Sequence, residues 1–93
     1  MVVGVCKIRL IFREARSLKG KRQVLRSIKD KMKNRFNISL AEVDGQDYHQ
    51  SALIGLAVAA VDAPHADSQI QAAISFISME AEIADVSTEI ISV

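Results

Sequence analysis

The chain has 93 residues, of which 49% are hydrophobic, 25% are charged and only 4% are aromatic. This length is typical of one domain, and the hydrophobic content excludes a disordered chain. The formal net charge of +1 excludes a uniformly acidic or basic protein. We therefore expect a single domain over residues 1–93 with an aliphatic core.

The lone cysteine and the N-terminal residues bear on the cellular compartment. Cys6 has no second cysteine with which to form an intramolecular disulfide, which favours a reducing environment. The apolar N-terminal run reaches charged residues at Lys7 and Arg9, too early for a secretory signal or a membrane span. We expect a cytoplasmic protein that does not associate with membranes.

Charge is distributed very unevenly along the chain. All twelve Lys and Arg residues lie in residues 1–36, where Glu14 and Asp30 are the only acids. Residues 37–93 contain the remaining acids and no Lys or Arg. If the fold keeps the two halves on different surfaces, the molecule is a strong dipole. Alternatively, the opposite charges pair within the molecule or across a dimer contact.

In chain order, the first element is a strand over residues 2–13, because apolar and polar residues alternate there. One face of this strand carries Val2, Gly4, Cys6, Ile8, Leu10 and Phe12. Ser17 is a good N-cap for a helix that runs to about Phe36. The apolar stripe of that helix comprises Leu18, Val24, Leu25, Ile28, Met32 and Phe36. Lys21 and Arg35 fall within the stripe, where we expect them to extend their charged ends to solvent.

The second half of the chain predicts three more strands and one more helix. Strands are expected over residues 37–44, 51–61 and 85–93, with Asp44-Gly45 as the strongest turn signal. Asp62 and Pro64 open a helix that ends near Glu82. The order βαββαβ predicts a ferredoxin-like α+β sandwich, with a four-stranded antiparallel sheet and both helices on one face.

The third strand is apolar on both faces, although the sheet face away from the helices should be polar. An apolar sheet face of this kind is usually covered by a partner. We expect a homo-oligomer, most simply a dimer, formed through Val3, Val5, Leu53, Ala57 and Ala59. The alternative is that small side chains leave the face only mildly apolar and solvated.

The first helix carries a continuous row of cations beside its apolar stripe. At about 100° per residue, five of them fall within an arc of about 80°. This basic ridge comprises Lys19, Arg22, Arg26, Lys29 and Lys33, and Arg13 and Arg16 extend it. Like charges four residues apart cost a few tenths of a kcal/mol each, which favours an anionic partner over a merely solvated face.

Phosphate backbone is the commonest anionic partner of such a surface, so the seven residues are candidate nucleic-acid ligands. The third strand has no aromatic residue, which excludes the sheet-face stacking of an RNA-recognition motif. Recognition would use backbone charge and shape. The alternative is a protein-interaction module whose basic helix meets an acidic protein surface, including the second half of its own chain.

Evidence for catalysis is weak. Asp44, Asp47 and His49 share one loop and could hold a divalent metal, but Asp is also common in turns because it bonds its own backbone. Cys6 lies on the apolar face of the first strand and is better explained as a core residue than as a nucleophile. We predict no catalytic residue, no cofactor and no enzyme, with a metal-dependent activity in this loop as a third hypothesis.

Several segments together resemble the YlxP-like family of small bacterial proteins, domain of unknown function 503. They are MVVGV, ARSLKGKR, NRFNISLAEVDGQD and the apolar third strand, and the resemblance spans essentially the whole chain. The matching positions are Arg16, Ser17, Leu18, Lys19, Lys21, Arg22, Asn34, Arg35, Phe36, Asn37, Ala41, Glu42, Asp44, Gln46 and Asp47. Gly20 departs from the Glu of the family pattern, and Tyr48-His49 replaces a more hydrophobic pair.

The resemblance implies a ferredoxin-like fold and no established activity. Genes of the family often lie beside those for translation initiation, ribosome maturation and RNA modification, which implies a link to ribosome biogenesis. Together with the basic ridge, this predicts a non-enzymatic module associated with RNA or the ribosome.

Overall fold

The computed structural model describes residues 1–93 and contains four strands and two helices. In chain order these are β1 (Val2–Ile11), α1 (Leu18–Arg35), β2 (Ser39–Asp44), β3 (Ser51–Ala60), α2 (Ala63–Glu80) and β4 (Glu82–Ser92). The strands form one sheet in the order β2-β3-β1-β4, in which every neighbouring pair is antiparallel. The fold is therefore the ferredoxin-like α+β sandwich that the sequence predicts.

The element boundaries follow from local chemistry. Ser17 caps α1, because its side-chain oxygen accepts a hydrogen bond from the Gly20 amide at 3.1 Å. The main difference from the sequence prediction is β4, which begins at Glu82 instead of residue 85. Its first residues pair with the end of β1 beyond a register shift, so α2 passes into β4 through the single residue Ala81.

Both helices cover the same face of the sheet and bury the predicted alternating residues of β1 and β3. The strand residues of the core are Cys6, Ile8, Leu10, Ala52, Ile54, Leu56 and Val58. The helices contribute Ile28, Met32, Ala66, Ile70, Ala73, Phe76 and Ile77. Within the predicted stripe of α1, Val24 is 37% exposed, whereas Lys21 is completely buried. A lysine thus occupies a core position of α1, and a valine of the predicted stripe lies partly at the surface.

Candidate nucleic-acid interface

The basic ridge lies on the side of α1 that faces away from α2. All five of its side chains are exposed. Lys29 and Lys33 border a shallow groove whose other wall includes Leu40 of β2, and Arg22 and Arg26 border a second groove next to Glu42. Strand β2 is at the edge of the sheet, so the ridge runs above an open edge of the molecule.

No member of the basic ridge forms an ion pair within the molecule. The three ion pairs are Arg13–Glu82, Lys21–Glu42 and Lys31–Glu80, and Asp62 contacts the ring of His65. Charge pairing between the two halves of the chain therefore occurs, as one of the two sequence alternatives predicts, but it involves cations outside the ridge.

Arg13 differs from the other candidate ligands because a carboxylate already occupies its guanidinium group. Its Nε and Nη2 donate to the two carboxylate oxygens of Glu82, both at 2.8 Å. These hydrogen bonds, reinforced by the charges, raise the pKa of Arg13 and lower the pKa of Glu82. An anion near Arg13 would meet a compensated charge, whereas Arg16 is exposed and forms no ion pair.

The expectation that Lys21 extends to solvent is wrong. Its side chain has 0% exposure, and its Nζ donates three hydrogen bonds that use all its protons. The acceptors are Glu42 Oε2 at 3.0 Å, the Gly45 carbonyl at 2.8 Å and the Ser51 carbonyl at 3.2 Å. The loop between β2 and β3 covers the end of this side chain and closes its route to water. Lys21 therefore fixes α1, and with it the basic ridge, to β2 and the following turn.

This anchor was visible in the sequence only as a lysine at a core position of the helix. Residues 18, 21, 25, 28 and 32 follow helical spacing, and Glu42 lies on the same face of β2 as Leu40. A lysine in an apolar stripe and a glutamate on a core face are complementary signals. Considering the two together could have indicated a buried ion pair.

Asp44, at the end of β2, has a structural role in the turn that follows the strand. Asp44 Oδ1 accepts a hydrogen bond from the Gly45 amide at 2.8 Å, and Gly45 has a φ of 81°, which suits glycine. No three His, Cys, Asp or Glu side chains are arranged so that they could hold a metal ion, either here or elsewhere. Asp44, Asp47 and His49 are all exposed, and the geometry adds no support for a metal site.

The remaining reactive side chains also have structural roles. Cys6 is 1% exposed, and burial raises the pKa of its thiol despite a hydrogen bond from Thr88. Asp62 caps α2 by accepting from the His65 amide at 3.0 Å. That bond, together with a contact to the His65 ring, lowers the pKa of Asp62. The Asp62–His65 contact lies at the exposed start of α2, where the carboxylate serves as the helix cap.

The fold and its surface define a ferredoxin-like domain that presents a ridge of unpaired cations on α1. A family model described as "Protein of unknown function (DUF503)" matches residues 3–90, and the chain belongs to this family. The Uncharacterized protein YlxP of Bacillus subtilis (strain 168) is 32% identical over 82 residues, which cover 88% of this chain and 89% of that protein. The family resemblance inferred from the sequence is confirmed.

A solved structure supports the fold independently. The de novo designed protein Foldit4 superposes with a TM-score of 0.56, covering 99% of this chain and 97% of that chain, at 12% identity. At this identity the likeness concerns the fold alone. Neither helix has the length and hydropathy required to cross a bilayer.

The structure explains part of the sequence pattern through which the chain resembles its family. Ser17 caps α1, Lys21 and Glu42 form the buried pair, and Asp44 closes the turn. These residues have structural roles that do not require a ligand. Lys19 and Arg22 lie in the same pattern but are exposed and unpaired, and the fold does not account for them.

Proposed function

We propose that this protein is a non-enzymatic module that binds RNA, in the setting of the ribosome, through the basic ridge of α1. The observation that carries the proposal is the lack of any ion pair along the ridge. The second half of the chain contains nine acids. The three of them that form ion pairs with Lys or Arg bind Arg13, Lys21 and Lys31, none of which belongs to the ridge. An external polyanion would supply the missing counter-charge. The ribosomal setting rests on the family resemblance.

The geometry of the ridge favours phosphate groups over isolated carboxylates. From Lys19 to Lys33 the helix rises by about 21 Å, at 1.5 Å per residue. Successive members of the ridge are three or four residues apart along α1. The helix is held in place by Lys21, whose side chain has 0% exposure. A preorganised row of cations suits a continuous row of phosphates, because little conformational freedom is lost on binding.

Base recognition is expected to be weak, since the surface offers few aromatic side chains on which bases could stack. Tyr48 is the only aromatic residue among the exposed large hydrophobics, at 68% exposure, and it lies in the loop between β2 and β3. Phe12 and Phe76 are buried in the core. Single-stranded RNA is normally bound by stacking bases on aromatic side chains. We therefore favour a structured RNA that is recognised by its backbone.

The direct test is a gel shift with structured ribosomal RNA fragments and the double variant Arg22→Glu with Arg26→Glu. Both side chains are exposed and unpaired, so the melting temperature should change little while RNA binding is lost. A matched control introduces the same total charge on the exposed side of α2, through Ser68→Glu, Gln71→Glu, Ala72→Glu and Ser75→Glu. Equal RNA binding by the double variant and the wild type would refute the proposal.

The groove beside β2 supports a second candidate, in which the partner is an acidic protein segment. The outer edge of β2 has no strand neighbour, and an extended peptide could pair with it below the cations of α1. A purely protein-directed module should retain no RNA affinity at ~150 mM salt. Sucrose-gradient fractionation of cell extract separates the candidates further, because ribosomal co-migration that depends on the ridge charges is expected only for the first.

A further inference from the structure

The face of the sheet that the helices leave uncovered, called the open face below, has an apolar centre. Its half-buried members on β1 and β3 are Val3, Val5, Leu53, Gly55 and Ala57. Val43 of β2 is 48% exposed and Ile91 of β4 is 42% exposed on the same face. The open face is continuous across all four strands, and no part of this chain packs against it.

The centre of the open face is concave because its residues are small. Gly55 lies between Lys7 of β1 and Ala41 of β2 in the strand register. A Cβ atom on Gly55 would come within 3.1 Å of Val43 Cγ1. Val5 and Val43 line the resulting depression together with Gly55, so the face offers a recess into which side chains of another surface can insert.

Four charges of both signs lie on the open face and have no partner. In the strand register, Arg9 is opposite Asp85 and Val5 is opposite Glu89, which places both carboxylates on the same face as Lys7 and Arg9. All four charged residues are exposed, and none forms an ion pair within the molecule. Two cations and two anions on one face make that face electrostatically complementary to itself.

We propose that the open face binds the open face of a second copy of this chain, forming a two-fold symmetric dimer. In such a dimer the same patch meets itself, so the cations of each copy can meet the carboxylates of the other.

The area of the open face is sufficient for a modest interface. β1 and β3 are each ten residues long, which corresponds to about 33 Å, and four strands span roughly 19 Å. The face therefore offers roughly 600 Å² per copy, and two copies bury about 1,200 Å², the lower limit of stable interfaces. An interface at this limit is expected to form a reversible dimer whose population depends on protein concentration.

The dimer surface and the basic ridge are separate. The ridge belongs to the helix layer, on the other side of the sheet from the open face. The dimer leaves both ridges accessible, and this inference does not depend on RNA binding. Failure of either proposal would leave the other intact.

The test is sedimentation of the full chain over a wide concentration range, combined with a charge exchange. The wild type should show a concentration-dependent monomer–dimer equilibrium. The variants Lys7→Glu with Arg9→Glu, and Asp85→Lys with Glu89→Lys, should each be monomeric, because like charges then meet across the interface. Mixing the two variants should restore a dimer. The control, Arg22→Glu with Arg26→Glu on the basic ridge, should dimerise like the wild type.

Two results would overturn the proposal: a wild type that stays monomeric at the highest concentration, or charge-reversed variants that still dimerise on their own. Circular dichroism establishes that each variant is folded. If a reversed pair unfolds the chain, Ala57→Arg provides an independent test. It places a long side chain in the depression and should shift the equilibrium to monomer without changing the core face of β3.

Discussion

Replacement of Lys21 by Met tests the buried anchor between α1 and the loop that follows β2. Met keeps most of the aliphatic stem of the lysine but removes the ammonium group and its three hydrogen bonds. The carbonyls of Gly45 and Ser51 then lose a donor, and the Glu42 carboxylate loses its counter-charge. The perturbation is electrostatic, because the volume of the side chain changes little.

The expected cost follows from the burial of the two partners. Removing one member of a buried ion pair costs about 3–5 kcal/mol. Glu42 keeps 21% exposure of its side chain, so water can solvate it in part and the lower end of the range, about 3 kcal/mol, applies. In a domain of this size each kcal/mol shifts the melting temperature by roughly 4–8 °C. We therefore expect the melting temperature to fall by about 12–24 °C.

The assay is urea denaturation and thermal melting followed by circular dichroism, with Lys31→Met as the matched control. Lys31 lies on the same helix and pairs with Glu80 at 3.0 Å, but its side chain is 48% exposed. Exposed pairs contribute about 0–1 kcal/mol, so the control should lose little stability. Similar losses in the two variants would refute the assignment of Lys21 as a buried anchor.

The following predictions concern other residues of the fold. Gly4→Ala should destabilise by about 1–3 kcal/mol through overpacking, because its Cβ would lie 2.6 Å from Ile70 Cδ1 and 3.2 Å from Val58 Cγ1. Gly20→Ala should stabilise α1 by up to ~1 kcal/mol, because its Cβ would meet only Ser17 Oγ at 3.5 Å. Urea denaturation measures the change in unfolding free energy of both variants. Equal changes in the two variants would contradict the packing argument. The pKa of Glu82 is lowered by its pairing with Arg13. This pairing therefore stabilises the fold at pH values above the ordinary pKa of glutamate, and the stabilisation is lost as the pH falls through the lowered pKa. Melting temperatures of the wild type and Glu82→Gln should therefore converge in strong acid, and a constant difference would contradict this. Cys6 should react with a thiol reagent far more slowly in the native state than in urea, because it is buried and its thiol pKa is raised; rapid native labelling would show that it is accessible.

Much of the fold could be predicted from the sequence because its signals are local. The alternation in β1 and the Asp44-Gly45 turn each depend on residues adjacent in the chain, and both are confirmed. The first residue of β4 was harder to predict from the sequence. The early start of this strand depends on pairing with the end of β1 and not on the alternation of its own residues. Local periodicity thus specified the elements, and tertiary pairing set their ends.

The candidate site was only partly predictable, because the state of each cation depends on distant residues. Lys21 bonds Glu42, and Arg13 bonds Glu82 across 69 positions of the chain. The helical pattern places cations on a face but does not say which of them find an acid. Only the assembled fold separates the buried Lys21 and the paired Arg13 from the five unpaired cations of the ridge.

The salt dependence of RNA binding tests the proposed role of the basic ridge most directly. Each phosphate contact contributes about −0.9 to the slope of log K against log salt for a duplex, so five contacts predict a slope of about −4.5. The neutral double variant Arg22→Gln with Arg26→Gln removes two contacts and should give about −2.7, measured by fluorescence anisotropy with a structured RNA. A slope that is the same in the variant and the wild type, or no binding at low salt, would contradict the account.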